Sequence, residues 1–306
     1  MRILLTGSSG FVGRNLAAGF KSRSDQLLAP DSSELNLLNF GNVVDYLVEK
    51  KPQFIIHAAG RVGGIQANMR NPSSFLVDNA VMGFNLLTAA KSAGVNRVLN
   101  LGSSCMYPRN APNPLQEDFL LTGSLEPTNE GYALGKIVVA KLGHYLMDEN
   151  FACKTIMPSN LYGPYDHFDE DTGHLVASLI ARLIRLRNGG ASEITLWGSG
   201  KVRREFMYVE DLVDAIFFSI DRFDDLPLFF NCGVGHDYSI REYYDKAMKL
   251  IHYQPRVIND LSKPEGMEQK LVDSSLLRAL GWEPRFSLEK GLQKTIEFYK
   301  EHHDRN

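Results

Sequence analysis

The chain has 306 residues, 44% hydrophobic and 23% charged, the composition of a folded globular protein, and its length suggests about two domains. A formal net charge of -3 offers no basic field, which excludes a surface that tracks nucleic-acid phosphates regardless of sequence. Cys105, Cys153 and Cys232 are too few and too scattered for a disulfide framework or a Cys-x-x-Cys site, so no metal is expected. The opening Met1-Arg2-Ile3-Leu4-Leu5-Thr6-Gly7 falls short of a secretory core or a membrane span, so the expectation is a reduced, cytoplasmic setting with no membrane partner.

Along the first half, short β-branched or leucine-rich runs alternate with longer helical patterns. Arg2 to Thr6, Gln26 to Ala29, Gln53 to His57 and Arg97 to Leu101 read as strands; Phe11 to Lys21, Gly41 to Lys50 and Pro72 to Ala93 read as helices between them. Asn129 to Asn150 continues as a helix and Lys154 to Met157 as a strand, before a turn-rich stretch from Pro158 to Pro164. This rhythm predicts an α/β fold: a doubly wound parallel sheet of Rossmann type over residues 1–160, followed by a smaller mixed α/β substrate domain over 161–306. In the second part, helices are expected at 174–187, 210–223, 240–253 and 288–302, with strands at 194–198 and 206–209; residues 204–232 are candidates to return to the first domain.

Gly7, Gly10 and Gly13 stand at the first strand-to-helix junction, in Gly7-Ser8-Ser9-Gly10-Phe11-Val12-Gly13. Glycines there permit a tight turn and a close approach of a pyrophosphate, which the N–H groups of Phe11 and Val12 and the helix dipole would hold. The spacing alone is weak in a chain with 26 glycines; its position at the first βα turn gives it weight. Asp31, 18 residues beyond Gly13, reads equally well as a turn residue or as the acceptor of an adenosine ribose. In the second role it would repel a 2'-phosphate and favour NAD(H).

After the fourth strand come Ser103, Ser104 and Cys105, at the carboxyl edge of the sheet where open α/β folds bind ligands. Tyr132 and Lys136 follow on one face of the next helix. Such a set transfers protons: an ammonium beside a phenol favours the phenolate, and a serine hydroxyl orients a substrate carbonyl. Tyr-x-x-x-Lys is worth little by itself, since Tyr46 and Lys50 repeat it with no serine run upstream and read as a helix face.

Together these residues resemble the extended short-chain dehydrogenase/reductases and, within them, the GDP-L-fucose synthases. The resemblance spans nearly the whole chain: MRILLTGSSGFVG at its start, SSELNLL at 32–38, RVGGIQAN at 61–68, GSSCMYP at 102–108, LEPTNEGYALGK at 125–136, MPSNLYGPYDHF at 157–168, WGSG at 197–200, REF at 204–206 and the 262–273 block. A nicotinamide dinucleotide is thus expected at Gly7, Ser9, Gly10, Phe11, Val12, Gly13, Asp31 and Lys136, and the resemblance implies a GDP-sugar substrate. It implies Cys105 and His174 as an epimerisation pair, with Ser103, Tyr132 and Lys136 serving reduction at C4. Ser104, Asn160, Arg182, Trp197, Arg204 and Lys270 are the implied GDP-sugar contacts, and the assembly implied is a homodimer.

Plainer readings stand beside these. Cys105 alone would be a small buried hydrophobe, His174 a capping residue, Trp197 core, and Arg182 part of a solvated stripe with Arg185 and Arg187. The chain also departs from the family. Ser32, preceded by Asp31, stands where a basic residue usually meets the 2'-phosphate, and Ser9 where some relatives have arginine. Asp31 thus favours NAD(H) while the resemblance favours NADP(H). The alternative function is C4 oxidation or reduction of another GDP-sugar, such as a heptose or a dideoxyhexose, without epimerisation.

Overall fold

The computed structural model describes residues 1–170, 172–263 and 266–303; of the 262–273 block, Pro264 and Glu265 lie outside the described residues. The elements run β1 (Arg2–Thr6), α1 (Phe11–Gly19), β2 (Gln26–Leu28), α2 (Phe40–Lys50), β3 (Phe54–His57), α3 (Ile65–Arg70), α4 (Pro72–Ser92), β4 (Arg97–Leu101), α5 (Glu130–Leu146) and β5 (Ala152–Pro158). Then follow β6 (Asn160–Tyr162), α6 (Leu175–Asn188), β7 (Glu193–Trp197), β8 (Arg203–Arg204), β9 (Phe206–Tyr208), α7 (Val209–Asp221) and β10 (Phe229–Cys232). The chain closes with β11 (Tyr238–Ser239), α8 (Ile240–Leu250), β12 (Arg256–Asp260), β13 (Gln269–Lys270), α9 (Ser275–Ala279) and α10 (Leu288–His302).

Six parallel strands form the main sheet in the order β2-β1-β3-β4-β5-β10. Its inner strands β1, β3, β4 and β5 are buried on both faces, as parallel strands covered by helices must be. Ile3, Leu5, Phe54, Ile56 and Leu99 join one core with Leu16 of α1 and Leu212 and Ile216 of α7. Leu4, Ile55 and Val98, one residue out of phase, join the opposite core with Val43 of α2, Leu86 of α4 and Val139 of α5. The expected doubly wound sheet is present, and β10, paired with β5, completes its edge.

A second core lies among α6, α8 and α10, where Ile180, Leu183, Tyr243, Ala247, Leu292 and Ile296 meet. The helices start where local chemistry directs: Asn39 caps α2 by accepting from Asn42 N, Pro72 opens α4, and Ser239 with Glu242 forms a capping box on α8. The stretch 158–164, expected to be turn, instead contains β6, which pairs in parallel with β9. Three residues suffice for that ladder, too short a run for alternation to reveal. Among the described residues no helix is long and apolar enough to cross a membrane, and no His/Cys/Asp/Glu cluster suits a metal ion.

Candidate active site

The sheet order reverses between β1 and β3, and the ligand crevice of such folds opens there, beyond the carboxyl ends of the strands. Thr6 Oγ1 lies 2.9 Å from Nδ1 of His57, joining the two strand ends. Gly7 has φ +74°, and a Cβ on it would sit 2.6 Å from Ala59 N; one on Gly13 would sit 2.0 Å from Gly7 O. These two glycines let the turn close on itself. Gly10 differs: it is exposed, and its Cβ would meet nothing nearer than Gly7 O at 3.4 Å. No side chain caps α1 and no acidic residue stands in its first turn. The N–H groups of Phe11, Val12 and Gly13 are therefore left for an anion, and the loop fits a dinucleotide pyrophosphate.

Beyond β2, Asp31 Oδ1 accepts from Ser33 N (2.8 Å), Ser33 Oγ (2.6 Å) and Glu34 N (3.1 Å). One carboxylate oxygen thus makes the turn. These bonds, Ser33's first, hold its pKa below the usual range. Ser8 Oγ donates to Pro30 O (2.9 Å), tying the glycine loop to this corner, while Ser9 is exposed.

Ser103 ends the β4 turn with its Oγ accepting from Cys105 N at 3.2 Å, and its hydroxyl acts on Tyr132 and the Cys105 thiol to lower the pKa of each. Cys105 Sγ receives Asn129 Nδ2 and Lys270 Nζ, both at 3.3 Å. Burial raises the thiol's pKa, but the Lys270 ammonium, the bonds from Ser103 and Lys270, and the charge of His174 outweigh it and bring it below the ordinary value. Tyr132 goes the other way: burial, then the negative charge of Cys105, pushes the phenol above its usual range, and Ser103 only partly offsets this. The expected tuning of Tyr132 by Lys136 is not found. Lys136 Nζ is buried and donates to Leu101 O at 2.9 Å, and burial lowers its pKa to about 8.

His174, at the N-cap of α6, is half-buried, with Nδ1 2.9 Å from Oδ1 of the buried Asp166. That hydrogen bond first, then the charges of Asp166 and Cys105, raises its pKa against the pull of desolvation. The cluster thus sets a thiol of lowered pKa against an imidazole of raised pKa, the direction that suits a base and an acid.

The other expected residues are distributed around it. Ser104 is buried beside Cys105, and Asn160 Nδ2 donates to Glu205 O at 2.8 Å. Glu205 is itself buried, accepting from Val272 N and Gly235 N, which fixes Arg204 and Lys270 on adjacent strands β8 and β13. Arg204 Nη1 donates to Arg203 O at 2.7 Å. Arg182 lies about 12 Å along α6 from His174 and bonds Tyr244. Trp197 ends β7 half exposed, with Lys263 Nζ 5.3 Å from its ring centre. Tyr46 and Lys50 lie on α2, where Lys50 pairs with Glu49 as a surface face. Residue patterns alone missed Asn129 and Asp166; each lies inside a block that carries the resemblance, but only the fold turns it toward its partner.

A glycine-loop Rossmann sheet with Ser, Tyr and Lys at its carboxyl edge defines a nicotinamide-dinucleotide enzyme. The chain belongs to the NAD dependent epimerase/dehydratase family, whose model matches residues 3–233. It is 49% identical to the GDP-L-colitose synthase of Yersinia pseudotuberculosis over 98% of both chains, and 40% identical to a GDP-L-fucose synthase of Azorhizobium caulinodans over 97% of this chain and 96% of that one. Among solved structures, the GDP-mannoheptose C4 reductase from Campylobacter jejuni with NADP bound matches with a TM-score of 0.87 and 27% identity over 98% of each chain.

Proposed function

We propose that this enzyme epimerises a GDP-4-keto-6-deoxyhexose beside its carbonyl and then reduces C4, giving GDP-L-fucose or a close analogue. The observation that carries this reading is Cys105, its sulfur held by Lys270, and His174, its ring held by Asp166, beside an intact Ser103, Tyr132 and Lys136. A simple C4 oxidoreductase has no use for that pair, which weighs against the heptose-type alternative.

Protons at C3 and C5 of a 4-keto sugar are acidic because the carbonyl stabilises the enolate. Cys105 Sγ takes the proton from one face and His174 Nε2 returns one to the other, inverting the centre. Ser103 and Tyr132 hold O4 through this step. The nicotinamide dinucleotide, bound at the glycine loop, supplies the hydride to C4. Tyr132 gives O4 its proton, and a phenol held protonated by burial favours this reductive direction. Lys136 orients the nicotinamide ribose; Asn160, Arg182, Trp197, Arg204 and Lys270 face the GDP-sugar. In this reading residues 1–160, with 204–232, carry the cofactor and the remainder carries the sugar nucleotide.

The higher identity to a colitose synthase supports a second reading of the sugar. In a 3,6-dideoxy sugar C3 is no stereocentre, so only C5 needs inversion. For the cofactor we propose NAD(H), because a 2'-phosphate at the end of β2 would meet the carboxylates of Asp31 and Glu34. For assembly we propose a homodimer through the outer faces of α4 and α5, where Val77, Phe84, Val138 and Tyr145 are exposed.

The test is incubation with GDP-4-keto-6-deoxymannose and with its 3-deoxy counterpart, each with NADH or NADPH. Oxidation of NADH with formation of an L-sugar product from either supports the proposal, and the faster of the two identifies the sugar. No consumption of either cofactor with either sugar would sink it.

A further inference from the structure

Asp166 was given no role by the sequence, yet its side chain is almost fully buried, at 1% exposure, and is aimed at His174. Its Oδ1 accepts from His167 N at 2.8 Å and meets His174 Nδ1 at 2.9 Å; its Oδ2 is buried with no hydrogen-bond partner. A buried carboxylate served by one backbone N–H is costly unless a cation pairs with it. Among the described residues, His174 is the ionisable side chain that forms an ion pair with it.

The carboxylate is also held from several sides. Asn15 of α1 donates to Pro164 O at 2.8 Å, so the helix behind the glycine loop grips the segment carrying Asp166. Tyr165, next to it, adopts φ +66°, a conformation that favours glycine, and its ring packs on Phe298 of α10 at 4.8 Å. Strain of this kind persists only where the surroundings impose it.

We infer that Asp166 is a positioning residue for epimerisation, holding His174 as an imidazolium with Nδ1–H turned inward and Nε2–H presented to the substrate. An ionised carboxylate only accepts, so the proton between the pair sits on Nδ1 and the ring's other proton faces outward. This inference rests on the proposed epimerisation for its purpose, but its test does not. Among the described residues, the charged and titratable groups acting on His174 are Asp166 and Cys105, the latter in turn faced by Lys270, Arg204 and Tyr132, with His167 on Thr172 nearby.

The experiment is a pH titration of ring-labelled histidine by NMR, without sugar, with His174 assigned from His174→Gln. In the wild-type protein His174 should titrate above the free-histidine value of about 6.5. In Asp166→Asn its midpoint should fall by about one to three units, while Asp166→Glu keeps it raised. The alkaline limb of deuterium exchange into the 4-keto sugar should fall with it at unchanged KM. A wild-type midpoint at or below the free value would overturn the inference, whether or not the variants fold. So would a raised midpoint that Asp166→Asn leaves in place. Loss of exchange in the wild-type protein with the titration as predicted would instead count against the proposed function alone.

Discussion

Burial acts on Cys105 and Tyr132 in the same direction, raising both, yet the two part because Lys270 stands 3.3 Å from the sulfur while, among the described residues, no cation offsets the burial of the phenol. The shifts pull the thiol toward a base and keep the phenol an acid, the separation of proton affinities that the proposed two-step chemistry requires. If Lys270 is what holds the thiolate, Lys270→Met must move the thiol's titration upward. Iodoacetamide alkylation, followed at Cys105 by peptide mass spectrometry, should show its pH midpoint rise by about one unit or more. Cys153 and Cys232 are buried and should stay unlabelled. An unmoved midpoint would return Lys270 to the GDP-sugar contact alone. Cys105 was legible only through its neighbours in the sequence. Lys270 was legible as a cation near the sugar nucleotide, but not as the partner of a sulfur 165 positions away.

At the scale of elements, α4 and α5 approach each other closely through glycines. A Cβ on Gly83 would lie 2.2 Å from Val139 Cγ2, and one on Gly131 would lie 2.3 Å from Pro72 O. This contact sets the height of α5 over the sheet, and with it the place of Tyr132 and Lys136. Gly83→Ala should therefore cost about 1–3 kcal/mol through overpacking, more than the helix propensity it gains. A thermal melt should show a lower midpoint, and an unchanged one would mean the helices part freely. The alternating strands and helices of the sheet were readable because parallel strands buried on both faces leave continuous apolar runs. The pairs β6–β9 and β8–β13 were not, being two or three residues long and defined by partners far away in sequence.

For the whole molecule, Asn15 of α1 reaches Pro164 O, so the glycine loop and the acid of the proposed epimerisation share one support. The exposed stripe of α4 and α5 gives the assembly prediction. Sedimentation should report a dimer, and Phe84→Asp should shift it toward monomer; a monomeric wild-type protein would contradict the proposed pairing. Cys105 and His174, in the function proposed, move protons at carbon before any hydride is transferred. That order is tested most directly by NMR of GDP-4-keto-6-deoxymannose in deuterium oxide with the enzyme and no added reduced cofactor. Deuterium entering beside the carbonyl with the wild-type protein, and far more slowly with Cys105→Ser, is the predicted result. Exchange at equal rates in both proteins, or none in the wild type, would contradict it.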